Sequence, residues 1–424
     1  MGAITFETSA SFAAEMDARD PLASFRQQFH IPAGPDGSPS IYLCGHSLGL
    51  QPKRASVYIE QELEHWAAMG VEAHFRGRDP WMPYHRLLTD NMAGVVGAKP
   101  MEVVVMNSLT VNLHLMMVSF YRPTAQRHKL VVEAGAFPSD QYAFASQIQF
   151  HGFDPATALI ELTPRPGEAN IRPEDIDALF EREGPEIALV LLCGVNYATG
   201  QLFDMKAITR VGHAQGCIVG FDLAHAAGNV PLQLHDWDAD FAVWCNYKYL
   251  NGGPGCVGGC FVHERHAHAF DLPRFAGWWG HDEESRFLMG PTFQPMPGAE
   301  GWQLSNPSIM SMAPLRASLE IFAAAGMQQL LQKSVSLTAY LEFLLDQHTP
   351  RDFTVLTPRE PHRRGAQLSI RIHQGGRSIC DRLVEQGTVC DWREPDILRV
   401  APVPLYNTYC DVQRFVESLF TALS

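Results

Sequence analysis

Residues 240–255 read DFAVWCNYKYLNGGPG: an apolar run, FAVWC, that delivers a single lysine, Lys248, between two tyrosines and ahead of a glycine-rich turn. An apolar run of this length bounded by turn residues predicts a strand buried on both faces. Lys248 then leaves the strand's carboxyl end with its stem among apolar and aromatic groups, where partial desolvation favours the free amine that attacks a carbonyl. A loop lysine is more commonly a solvated ammonium, so the stretch alone leaves both readings open. Gly252, Gly253 and Gly255 serve either a tight turn or a close approach of backbone to a ligand.

Outward from this strand the pattern repeats. EVVVM, KLVVEA, IALVLL, CIVGF and CVGGCFVH alternate with the helix-length segments LTVNLHLMMVSFY, DQYAFASQIQFHG and DMKAITRVGHAQG. Short β-branched runs between amphipathic stretches predict parallel strands joined by crossover helices, an α/β domain over residues 75–310. Past SNPSIMSMAPLRASLEIFAAAG, which reads as a long helix, the shorter units GAQLSIRIH, SICDRLVEQG, TVCDW, DILRV and CDVQRFVESLF predict a smaller C-terminal α/β domain over 311–424. Residues 1–74 are expected to belong to the small domain and to dimer contacts, with the first 40 wrapping the surface.

Composition narrows the partners. The chain has 424 residues, 46% of them hydrophobic, enough for a large core and a second domain. Lys and Arg number 32 against 46 Asp and Glu, and the net charge of -14 opposes nucleic acid and anionic membranes, leaving a small-molecule substrate. The nine cysteines are scattered among apolar neighbours, as expected for reduced thiols in the cytoplasm. CVGGC at 256–260 has no second pair at zinc spacing, and HERHAH at 263–268 lacks the HExxH pattern, so no metal is expected and the histidine run reads as a solvated helix face. MGAITFETSA lacks the basic and apolar runs of a leader, and Phe6 stands where acylation of Gly2 requires Ser or Thr.

Ligands of open α/β sheets sit at the carboxyl ends of the strands. After EVVVM come Asn107, Ser108, Leu109 and Thr110, a helix start suited to a phosphate or simply a well-capped helix. KLVVEA runs into Phe137-Pro138-Ser139-Asp140, an aromatic ring beside a proline with two polar groups. CIVGF ends in Asp222, followed by His225; a carboxylate leaving an apolar strand calls for a cation, and a pyridinium nitrogen would serve, as would a structural turn. Lys248 is the fourth. Their order along the chain is that of a pyridoxal 5′-phosphate site in the aspartate-aminotransferase fold, type I.

At this level of detail the residues resemble one family, kynureninase. The resemblance rests on YLCGHSLGLQPK (42–53), NSLTVNLH (107–114), FPSD (137–140), GFDLAHAAGN (220–229), WCNYKYLNGGPG (244–255), GWWGH (277–281), SNPSI (305–309) and LRVAPVPLYN (398–407). It implies a homodimer that hydrolyses L-kynurenine to anthranilate and L-alanine in tryptophan degradation, with 3-hydroxy-L-kynurenine as the second substrate to weigh. It also implies roles: Lys248 as the lysine that binds the cofactor, Asp222 on the ring nitrogen and His225 as a cofactor contact. Phe137 would stack on the ring beside Pro138, Ser139 and Asp140, while Leu109, Thr110 and Tyr247 hold the phosphate, Tyr247 doubling as proton donor. Trp278 and Asn306 would complete the site from the other subunit, Arg399 would grip the substrate carboxylate, and His74 with Asn306 would lie near the aryl ketone. Two positions depart from the family pattern: His46 in GHSLGL, where GNSLGL is usual, and Cys193, where the strand often ends in Ser.

Rival readings keep the fold and change the chemistry. A cysteine desulfurase needs a reactive cysteine on a mobile loop, whereas Cys380 and Cys390 fall in helix-like and strand-like segments. A class V aminotransferase would leave its cofactor aminated. A non-catalytic cofactor-binding regulator would usually have lost Lys248, Asp222 or Arg399, and all three stand here.

Overall fold

The structure, a computed structural model, describes residues 5–349 and 352–424. Gly2, read above against acylation, lies outside the described residues. Its main element is a seven-stranded sheet in the order Val103–Met106, Gly258–Val262, Phe241–Cys245, Ile218–Asp222, Ile187–Cys193, Lys129–Glu133, Leu159–Leu162. The last five run parallel to one another. Gly258–Val262 runs antiparallel to both of its neighbours, so the sheet is mainly, not wholly, parallel. The reason is local: no helix intervenes between Cys245 and Gly258, so the chain turns back instead of crossing over.

Both faces of this sheet are buried, and the strand residues divide between them with period two. Val103, Val131, Val190 and Val219 join one core with Leu88, Phe180 and Phe322. Val104, Leu130, Leu189 and Val243 join the other with Met116, Phe120 and Phe144 from the helices Leu109–Phe120 and Pro138–Phe150. This double burial explains the continuous apolar runs in the sequence. Leu159–Leu162 was not anticipated: it is one of the two edge strands, its Glu161 is exposed, and it therefore lacks such a run.

A second sheet, all antiparallel, has the order Phe353–Val355, Leu368–Ile372, Ile397–Val400, Asp391–Arg393. The helices Met327–Leu345, Ser378–Glu385 and Tyr409–Leu423 share its core through Leu341, Ile379 and Phe415. The N-terminal segment does more than wrap the surface. Ala13, in the helix Ala10–Ala18, is buried in this second core, whereas Leu22 and Phe29 enter the core of the large sheet. Asp17 accepts the Tyr409 and Cys410 N–H groups at 2.7 and 3.1 Å, capping the C-terminal helix.

Of the histidines of 263–268 only His268 is exposed; His263 is buried and His266 is paired, so the run is not a solvated face as a whole. His266 Nε2 meets Asp240 Oδ1 at 2.8 Å and His213 Nε2 meets Asp240 Oδ2 at 2.9 Å. Asp240 is buried at the amino end of Phe241–Cys245, remote from the strand ends that carry Asp222 and Lys248. Among the described residues no helix is long and apolar enough to cross a membrane.

Candidate active site

The carboxyl ends of the parallel strands deliver Glu133, Cys193, Asp222 and, just past Cys245, Tyr247 and Lys248 to a single cavity of about 330 Å³. Its wall also contains Leu109, Thr110, Phe137, Ser139, Asp140, His225 and, from the second sheet, Arg399. A larger depression of about 780 Å³ lies elsewhere, around Arg172 and Arg363, and has none of these groups.

The lysine loop is shaped by two glycine-dependent devices. Gly49 N–H donates to the Tyr247 carbonyl at 2.8 Å, and a Cβ at Gly49 would stand 2.3 Å from the Lys248 carbonyl oxygen, so only glycine lets GHSLGL lie against this loop. Gly253 and Gly255 have φ of +88° and +70° with open space around their Cα positions. They are turn glycines, whereas Gly252 is a close-approach glycine: a Cβ there would stand 2.5 Å from Cys256 Sγ and 2.9 Å from the Asn246 carbonyl oxygen.

Lys248 Nζ lies 3.0 Å from His225 Nε2. Burial, reinforced by the Lys248 charge, holds the His225 imidazole well below its usual pKa, so a neutral ring stands beside the lysine amine. The buried Nδ1 of His225 has no protein partner. His46 is fully buried in the same wall, with neither ring nitrogen hydrogen-bonded, and burial with Arg399 and Lys248 keeps it neutral as well.

Three carboxyl groups meet at the far side. Burial, and then the neighbouring Asp222 carboxylate, pushes the Asp140 pKa up to about 10, so Asp140 keeps its proton. Burial pushes Glu133 up to about 7, and Glu133 Oε2 accepts the Cys193 N–H at 3.1 Å. Asp222 Oδ1 accepts the Ala224 N–H at 2.7 Å, which fixes the carboxylate at the strand end. Burial raises the Cys193 thiol pKa, so the group at this strand end is a neutral thiol.

Arg399 is 1% exposed. Its Nη1 donates to the Tyr197 carbonyl at 2.8 Å and its Nη2 to Asp391, its cross-strand neighbour. Burial lowers its pKa to about 10, which still leaves it charged at neutral pH. Arg393 Nη2 reaches the same Asp391 oxygen at 3.2 Å.

Not every expected residue lines this cavity. His74 Nδ1 faces the Val71 carbonyl at 3.1 Å, Trp278 belongs to a separate hollow with Arg286 and Phe293, and the exposed Asn306 lies beside Asn107 and Ser308 in another. Pro138 is the first residue of its helix and sets the turn that presents Ser139. Sequence reasoning missed Glu133, Tyr197 and Arg393. Glu133 ends an apolar strand just as Asp222 does, and the same signal would have found it; Tyr197 and Arg393 carry no such signal.

The donor set fits a flat group with an anion at one end and a ring cation at the other. The first turn of the helix Leu109–Phe120 has no side-chain cap from Ser108, so its N–H groups face outward beside the Thr110 and Ser139 hydroxyls, 2.9 Å apart. The Asp222 carboxylate, with protonated Asp140 beside it, supplies the opposite end, and the Lys248 amine lies in the same wall.

This architecture is that of the type I pyridoxal 5′-phosphate enzymes. Solved structures with the same fold include the cysteine desulfurase CsdA from Escherichia coli (TM-score 0.76, 20% identity, 95% of this chain and 98% of that one). A second is the cystine C-S lyase C-DES in complex with its product cysteine persulfide (TM-score 0.75, 17% identity, 90% and 97%). Sequence likeness is far closer elsewhere. Residues 330–419 match the model of the kynureninase C-terminal domain. Kynureninases of Koribacter versatilis and Myxococcus xanthus are 68% and 61% identical, covering 100% and 98% of this chain and 100% and 97% of theirs. The chain belongs to the kynureninase family, and so to the pyridoxal 5′-phosphate-dependent hydrolases that cleave carbon–carbon bonds.

Proposed function

We propose that this chain hydrolyses L-kynurenine, and 3-hydroxy-L-kynurenine as an alternative substrate, to anthranilate or 3-hydroxyanthranilate and L-alanine in cytoplasmic tryptophan degradation. The observation that carries the reading is the convergence of Lys248, Asp222 and Arg399 on one cavity. Nine free thiols suit the cytoplasm. When bound, pyridoxal 5′-phosphate supplies a carbonyl for amines and a ring that accepts an electron pair from the substrate.

The residues divide the remaining work. Leu109 and Thr110 at the start of the helix Leu109–Phe120, with Ser139 and Tyr247, would hold the phosphate; Phe137 would cover the ring, and Asp222 would keep a proton on the ring nitrogen. Arg399 takes the substrate α-carboxylate through its planar fork. As a free amine, Lys248 would take the proton from the substrate Cα and return it there before alanine leaves. Water adds to the γ-ketone, the hydrate collapses with rupture of Cβ–Cγ, and Tyr247 returns a proton to Cβ. Burial raises the Tyr247 pKa, which keeps its hydroxyl protonated as a donor.

The reading includes a homodimer with a shared site. His74, Phe75, Phe287 and Trp278 form a continuous aromatic face, with ring centroids 6.3, 6.1 and 5.5 Å apart in that order, and Leu288 beside it is 80% exposed. An apolar face of this kind suits a second copy that carries Trp278, Asn306 and His74 toward the neighbouring cavity. Residues 75–310 then form the bulk of the cofactor domain, with Leu22, Phe29 and Phe322 joining its core from outside that range, and the rest of 311–424 forms the small domain, with 1–74 shared between the two and the dimer contacts.

The test is one assay with both substrates, following anthranilate or 3-hydroxyanthranilate by fluorescence and alanine by amino-acid analysis. Equal yields of aryl acid and alanine are expected. Amination of the cofactor without release of aryl acid would overturn the reading.

A further inference from the structure

Outside the cavity, the thiols of Cys380 and Cys390 face one another with sulfurs 3.6 Å apart. Cys380 is buried on the helix Ser378–Glu385; Cys390 is half-buried between the strands Thr388–Val389 and Asp391–Arg393. Those two strands belong to different ladders: Val389 pairs with Tyr42, and Asp391 with Arg399. Cys390 is thus the junction at which the chain leaves one ladder for the other, and neither holds it. The next residue, Asp391, is the carboxylate that Arg399 and Arg393 share, with His46 Nε2 at 3.5 Å.

We propose that Cys380 and Cys390 are an oxidisable dithiol whose disulfide disables the substrate-carboxylate subsite; the second half of this inference rests on the role given above to Arg399. The oxidant is a hydroperoxide. The Cys380 thiolate attacks the O–O bond, forming a sulfenic acid and releasing hydroxide that takes up a proton as water. The Cys390 sulfur then attacks that sulfur, its proton leaving with the displaced hydroxide as a second water. Two thiols and one hydrogen peroxide give one disulfide and two waters. The hydrogen bond within the pair pulls the Cys380 thiol below its ordinary pKa, which favours it as the attacking thiolate.

Forming the bond shortens the sulfur separation from 3.6 Å to about 2.05 Å. The junction residue Cys390 supplies that movement and Asp391 follows, so the Arg399 fork loses the carboxylate that aims it. Misplacement on the order of 1 Å is enough to cost a large factor in substrate capture.

Trypsin cuts after Arg377, Arg382 and Arg393, so the disulfide would join peptide 378–382 to peptide 383–393. The holoenzyme is treated with hydrogen peroxide, quenched with catalase, digested without reductant and assayed in parallel. The expected result is the linked peptide pair, a KM for L-kynurenine raised about tenfold or more with a smaller change in kcat, and reversal by dithiothreitol. Cys380→Ser and Cys390→Ser should each abolish the link and the KM response, whereas Cys44→Ser should keep both. Absence of the linked peptides, a link from Cys44 instead, or linked peptides with unchanged KM overturns the proposal. Failure of the Arg399 reading is seen separately, as an unchanged KM in unoxidised Arg399→Ala.

Discussion

Lys248 Nζ sits 3.0 Å from the Nε2 of His225, a histidine held neutral by burial. The contact parks the amine at the cavity wall while leaving it free to exchange partners. Lys248→Ala should therefore bind cofactor without the visible absorption of the lysine-bound form and release no anthranilate. The absorption spectrum and a single-turnover assay check this, and turnover at the wild-type rate would remove Lys248 from its role.

Asp140 gives a pH signature. Its pKa rises from 3.8 to about 10 on folding, so the folded chain holds a proton that the unfolded chain has lost between those values. Stability then falls as pH rises through this window, by at most about 1.4 kcal/mol per pH unit for one proton. Thermal melts of cofactor-free protein at pH 6 and pH 9 should show the loss, and Asp140→Asn should flatten it. A slope unchanged in the variant would place the proton elsewhere, with Glu133 next in line because burial lifts it to about 7.

Arg399 predicts a kinetic split. Its guanidinium is buried and aimed by the Tyr197 carbonyl and Asp391. Losing a charge-assisted, two-pronged contact to the substrate carboxylate costs on the order of 3 kcal/mol, roughly a hundredfold in kcat/KM, carried mainly by KM. Arg399→Lys should recover part of it. Steady-state kinetics with L-kynurenine decide the matter, provided circular dichroism shows that the variants are folded, because Asp391 is left with fewer partners.

These residues also mark how far the sequence reaches. The apolar runs that became strands, including the buried edge strand Val103–Met106, were legible because both faces of the sheet are buried there, whereas the opposite edge strand Leu159–Leu162, with Glu161 in water, gave no such run. The antiparallel turn of Gly258–Val262 depends on a missing crossover helix, a feature periodicity does not weigh. Asp222 and Lys248 were legible because each breaks an apolar strand at its end. Arg399 was reached through the family resemblance, since its place in the cavity depends on packing the second sheet against the first. Tyr197 contributes a backbone carbonyl as much as a ring, and backbone roles leave no trace in residue identity.

The shared site has a test of its own. Under twofold symmetry, each cavity would combine Lys248 from one subunit with Trp278 from the other. Homodimers of Lys248→Ala and of Trp278→Ala should each be inactive or severely impaired. When the two are mixed and allowed to exchange, half of the dimers are hybrids, and each hybrid has one cavity with both residues intact. Activity should return to about a quarter of the wild-type level. If Trp278 acted within its own chain, the hybrid would contain one cavity lacking the lysine and one lacking the tryptophan, and mixing would restore nothing. Leu288→Asp on the exposed face should shift the sedimenting species toward the 47.1 kDa chain and lower activity in a concentration-dependent way. A variant that stays dimeric and fully active would place the interface elsewhere.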